Sequence, residues 1–193
     1  MKIVLLVALS ALSGAALAQT TTANTDRRAA LSDREVMILW EKLMIVTSGE
    51  TEEDALANLR SHGMGEDGAK ALVTFRTKAL AELQHDGDRL YLDVCGKQKE
   101  IRESGGPEMV AQLVEQSIRR EADTRRRLLA EADSLLSLQD QERLEHLYSG
   151  GHGPNIDITE TNIAMRVRSG EIPVEQAITA ACEQLKKSRT SRS

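Results

Sequence analysis

Apolar residues recur along this chain at three- and four-residue intervals, and no stretch alternates apolar with polar as a half-buried strand does. Val36, Leu39, Trp40, Leu43 and Met44 form one such stripe. It opens at Ser32-Asp33-Arg34-Glu35, a capping box in which serine and glutamate satisfy each other's backbone N–H groups, and Gly49 closes it. Thr51-Glu52-Glu53-Asp54 caps a shorter helix carrying Ala55, Leu56 and Leu59, which Gly63 ends. Acidic residues crowd both first turns, where the positive end of the helix dipole favours them.

From Glu66 the stripe runs through Ala71, Leu72, Phe75, Ala79 and Leu83, passes Gly87, and resumes with Leu90, Tyr91, Val94 and Ile101. Ser104-Gly105-Gly106-Pro107 interrupts it, with glycine after one helix and proline in the first turn of the next. The following run carries Val110, Leu113, Val114, Ile118, Leu128, Leu129, Leu135 and Leu136. Ser137 caps a continuation through Leu144 and Leu147, and the glycines from Gly150 to Gly153 force a loop. Two last helices fit Thr159 to Arg168 and Pro173 to Lys187. The pattern predicts an all-α fold of six to seven helices around a long antiparallel helical hairpin.

The short Gly-Gly-Pro turn sets the hairpin's register, with residue numbers across it summing to about 211. Cys95 then lies near the turn, and the last helix must fold back there for Cys182 to reach it. Two cysteines far apart in an exported chain predict a disulfide, not a redox-active C-x-x-C pair. Closing a loop of that size stabilises the fold by roughly 4–5 kcal/mol on the chain-entropy model.

Export itself is read from residues 1–18. Lys2 precedes an apolar run from Ile3 to Leu12, too short to span a bilayer, and Ala16-Leu17-Ala18 offers small residues for cleavage before Gln19. Residues 19–30 read as a flexible leader, 31–187 as a single helical domain, and 188–193 as a disordered basic tail. No later segment reads as a membrane span, and the expected location is periplasmic or secreted.

A formal charge of −5 and only four aromatic side chains, Trp40, Phe75, Tyr91 and Tyr148, argue against nucleic-acid binding. One charged stretch stands out. Between Arg119 and Arg127 nothing apolar is larger than alanine, and the hairpin register sets this stretch opposite residues 84–92. Arg119, Arg120, Arg125, Arg126 and Arg127 are candidates for gripping a carboxylate or phosphate. The competing reading is a hydrated face laced by pairs such as Glu121–Arg125 and Asp123–Arg127. Glu142, His146 and His152 make a weak metal trio, and no cofactor motif is found.

Leu136-Ser137-Leu138-Gln139 looks like the Leu-Thr-x-x-Gln helix starts of periplasmic helical chaperones, with serine for threonine and a displaced glutamine. A serine cap explains it equally, so no family is assigned. The expected function is an exported, non-catalytic helical interaction protein whose partner is a protein or a small anionic ligand. Alternatives are an ATP-independent periplasmic chaperone or stress adaptor, and a small secreted all-α enzyme acting on an anionic metabolite.

Overall fold

A computed structural model describes residues 27–150 and 159–190, and the described residues are helices and turns with no strand among them. The expected signal segment 1–18, most of the leader, His152 and residues 191–193 lie outside the described residues. The helices are α1 Asp33–Val46, α2 Glu52–Ser61, α3 Glu66–Gly96, α4 Gly106–Ser134, α5 Leu138–Ser149, α6 Thr159–Arg168 and α7 Val174–Thr190. The all-α expectation and the hairpin of α3 and α4 therefore hold.

The caps form where the sequence signals them. Ser32 and Glu35 make the reciprocal capping box of α1, and Thr51 and Asp54 make that of α2. Ser137 Oγ accepts from the Asp140 N–H at the start of α5. Gly63, with φ +83°, and Gly170, with φ +79°, take the left-handed conformation that ends the preceding helices. The hairpin turn is less simple than the sequence suggests. The apolar stripe runs on to Ile101, yet α3 stops at Gly96. A helical turn, Gln98–Glu100, and a π-helical turn, Ile101–Gly105, follow before Gly106, at φ +51°, reverses the chain into Pro107.

Contacts gather the described part of the expected single domain into two compact units, 27–76 with 126–150 and 77–125 with 159–190. In the first unit the buried side chains include Val36, Trp40 and Leu43 from α1, Leu56 and Leu59 from α2, and Leu72 and Phe75 from α3. Leu128 and Leu129 from α4 and Leu144 from α5 are fully buried as well. Each such leucine contributes about 1.5–3 kcal/mol relative to exposure.

In the second unit Val94, Ile101, Val110 and Leu113 of the hairpin pack with Val167 of α6 and with Ile178 and Ala181 of α7. Ala111, Val114 and Ala164 form a smaller cluster beside them. Cys95 and Cys182 are bonded with their Cα atoms 5.2 Å apart, so α7 does fold back to the hairpin's turn. Thr124 Oγ1 donates to Asp86 Oδ2 at 2.6 Å, and Arg120 Nη2 to Asp93 Oδ2 at 3.1 Å. These pairs match the register that the turn implies.

Both ends of the expected domain need correction. Residues 27–29 form a helical turn and Arg28 is buried, although composition alone placed them in the leader. Their order comes from ion pairing with distant carboxylates, which composition does not register. At the other end α7 runs three residues past Lys187 to Thr190, because a helix continues into polar sequence where nothing breaks it.

Candidate functional site

The five arginines singled out by the sequence stand along α4, and four have a carboxylate at hand. Arg125 pairs with Glu121 at 2.6 Å, one helical turn back, as the sequence spacing suggests. Arg120 pairs with Asp93 across the hairpin. Arg126 reaches Asp33 at 2.6 Å and also donates to the Leu31 carbonyl at 3.3 Å, so it ties α4 to the cap of α1. Arg127 lies 3.6 Å from Glu131. Arg119 is exposed, and its charge helps hold the Glu115 carboxyl below its usual range, after the larger effect of a hydrogen bond from Arg168. Arg120, Arg125 and Arg126 are half-buried, and Arg127 is exposed like Arg119.

Of the weak metal trio, two members lie among the described residues. Glu142 and His146 are exposed on α5, and His152 lies outside the described residues. Among the described residues no group of three His, Cys, Asp or Glu side chains is placed to hold a metal ion.

A second polar cluster, which sequence reading missed, lies in the first unit. Arg28 Nε donates to Asp133 Oδ2 at 2.8 Å and its Nη2 to Asp133 Oδ1 at 3.2 Å, a two-pronged grip. The same Nη2 donates to Glu145 Oε1, while Arg27 Nη2 donates to the other oxygen of Glu145 at 2.8 Å. The Arg28 guanidinium also stands 5.3 Å from the centre of the Tyr148 ring, within cation–π range. Lys42 Nζ donates to the Tyr148 carbonyl, closing the C-terminal end of α5.

Burial governs the electrostatics. For Arg28 burial works against the charge, but the hydrogen bond and charge of Asp133, with Glu145, outweigh it and raise the guanidinium's pKa. For Asp133 burial raises the carboxyl's pKa and the pull of Arg28 only partly offsets it. The two directions weigh the same pair differently. The two-pronged geometry, which needs a carboxylate, favours the ionic form. Burial also pushes the Tyr148 hydroxyl up, with Asp133 adding to the effect, and that hydroxyl finds no hydrogen-bond partner among the described residues.

A sequence signal for this cluster existed. Asp133 follows Leu128, Leu129 and Ala132 on the apolar stripe of α4 and precedes Leu136 in the turn after it, where a carboxylate requires a partner. The sequence did not say which arginine supplies it.

Chemically the cluster is a lock. Arg28 is 2 % exposed and Asp133 4 %, so neither is open to a substrate, and a neutral buried phenol is neither base nor nucleophile. Compared with protein-family models, with curated proteins and with solved structures, the chain matches none.

Proposed function

We propose that this chain is an exported protein that works by binding another protein, not by catalysis. The observation that carries the reading is the pairing of Arg120, Arg125, Arg126 and Arg127 with carboxylates of the chain itself. Positive charge answered in place has little left for a small anion. The disulfide supports an oxidising compartment, where such bridges persist. No helix among the described residues is long and apolar enough to cross a membrane.

Apolar side chains are the better candidates for partner contact. In the first unit Ile45 is 57 % exposed and Leu138 61 %. In the second Met165 is 57 % exposed. Apolar side chains left in water also suit the chaperone alternative, which differs in binding unfolded chains.

Photocrosslinking in the cells that make the protein tests the reading. A photoreactive residue at Leu138 or Met165 is expected to capture one discrete protein outside the cytoplasm, and the same residue at Arg119 is not. A smear of many captured species would favour a chaperone. A thermal shift with phosphate or citrate, abolished by Arg119→Glu with Arg127→Glu, would replace the proposal with anion binding.

A further inference from the structure

We infer that the recess holding Arg28 is a guanidinium-binding site that the chain fills with its own arginine, and that an arginine side chain of another polypeptide takes its place when residues 27–29 lift out. The recess suits that group. Asp133 on α4 accepts from Nε at 2.8 Å and from Nη2 at 3.2 Å. Glu145 on α5 accepts from the same Nη2, and the centre of the Tyr148 ring lies 5.3 Å from Arg28 Cζ. A fork onto one carboxylate, a second carboxylate and an aromatic face fit a planar, delocalised cation, whereas a lysine ammonium cannot make the fork. The buried Tyr148 hydroxyl, near enough to Asp133 and Arg28 to sense their charges, has no partner among the described residues and offers an incoming group a further polar contact.

The walls of the recess are held by bonds that do not pass through Arg28. Gln141 Nε2 donates to the carbonyls of Asp133 and Leu136, at 2.9 and 3.1 Å, and so fixes the corner between α4 and α5. Lys42 of α1 donates to the Tyr148 carbonyl. With the arginine gone, burial, and behind it the charge of Glu145, would disfavour an ionised Asp133. An emptied recess therefore attracts a cation.

Arg28 is buried while Arg27, Ala29 and Ala30 are exposed, and the Arg27–Glu145 pair is largely open to water. A tethered arginine competes at an effective concentration of roughly millimolar, so a partner prevails by adding contacts of its own. Leu138 offers one. It is 61 % exposed and stands seven residues before Glu145, on the same face of α5. An apolar contact beside the incoming arginine suits a polypeptide better than the free amino acid. The inference rests on the reading that the chain binds another protein, and it names the group that protein presents.

Fluorescence anisotropy of a labelled peptide copying residues 23–32, added to the full exported chain, tests the site. The Arg28→Lys chain keeps the charge but loses the fork, so the peptide is expected to bind it at least about tenfold more tightly than the native chain. A peptide with lysine for its second arginine should bind at least about tenfold more weakly. Adding Asp133→Asn to the Arg28→Lys chain should abolish binding. Equal binding to the two chains, equal binding of the two peptides, or binding that survives Asp133→Asn would overturn the inference. So would free arginine that displaces the peptide at the peptide's own concentration, since the ligand would then be the amino acid. If the Arg28→Lys chain does not fold, recovery of its helical circular dichroism by the arginine peptide, and not by the lysine peptide, supports the site, and no recovery overturns it. Peptide binding without discrete capture in cells would count against the partner reading alone, and discrete capture without peptide binding against the site alone.

Discussion

The carboxylate of Asp140, in the first turn of α5, accepts a hydrogen bond from the Gly65 N–H at 2.8 Å and so caps α3 from 75 residues away. Its other oxygen accepts from Ser137 Oγ at 2.8 Å, which holds the side chain in place. A negative group at a helix N-terminus meets both the orphan N–H groups and the positive end of the dipole. Room for it depends on Gly68, where a Cβ would stand 2.7 Å from Asp140 Oδ2.

Gly68→Ala should therefore destabilise the protein by about 1 kcal/mol, although the same change in an exposed helix gains roughly 0.5–1 kcal/mol. The displaced cap outweighs the gain in propensity. In an Asp140→Ala background the sign should reverse, with the added alanine stabilising. Urea denaturation of the four proteins in this cycle checks it, and additivity would refute the contact as the cause.

The Arg28–Asp133 pair has a different signature. Asp133→Ala strands a buried guanidinium and is expected to cost about 3–5 kcal/mol. Replacing both partners, Arg28→Met with Asp133→Leu, should recover most of that, since similar apolar volume needs no counter-charge. Urea midpoints at constant slope measure both. Equal losses in the single and double variants would mean that the pair does more than satisfy itself.

Much of this architecture is legible in the sequence, because local signals and tertiary outcome agree. The boxes at Ser32 and Thr51, the serine at 137, the stops at Gly63 and Gly170, and the Gly-Gly-Pro turn each act within a few residues. The turn also places Thr124 by Asp86 and sets Cys95 near the hairpin's end, where α7 must fold back for Cys182 to reach it. What stays hidden is long-range polar pairing. Arg28 reads as part of a polar leader, yet it is buried against Asp133 and Glu145, more than a hundred residues on. Asp140 reads as an ordinary first-turn acid, yet it caps another helix. Of the candidate site, the identity of the charges at 119–127 is visible but their partners are only half visible. Glu121 lies one turn from Arg125, whereas Asp33 comes to Arg126 only through the packing of α1.

Acid should loosen the second unit at identifiable ties. The hydrogen bond from Arg168, with a smaller one from Gln112, holds the Glu108 carboxyl down to about 2 against an ordinary 4.5. A carboxyl with a lowered pKa in the folded state stabilises above its unfolded value and loses that contribution as pH falls. The tie is thus intact above about 4.5 and released between 4.5 and 2. Glu115, held down chiefly by Arg168, and Glu175, held down chiefly by Arg102, follow in the same direction. Carboxyl titration by NMR should show Glu108 ionising far below a free glutamate, and Arg168→Met should return it to the ordinary range. An unmoved titration in that variant would count against Arg168 as the cause.

Tyr148 gives the sharpest test of the buried cluster. Its ring is 5 % exposed and stacks under Arg28, so the aromatic face is used, while its hydroxyl is buried with no partner among the described residues. Burying a hydroxyl without a hydrogen bond costs roughly 1–3 kcal/mol in proteins, and a phenylalanine keeps the ring and its face. Tyr148→Phe should accordingly leave stability unchanged or raise it by about 1 kcal/mol. Tyr148→Leu, which loses the cation–π contact and leaves a gap, should lower it by about 2 kcal/mol or more. Burial raises the phenol's pKa, so ultraviolet difference spectra of the native protein should show Tyr148 silent at the alkaline pH where an exposed tyrosine ionises. A Phe variant that unfolds more readily than the parent would mean the hydroxyl is bonded after all, and the cluster would then be a connected polar network and not a ring packed under a cation.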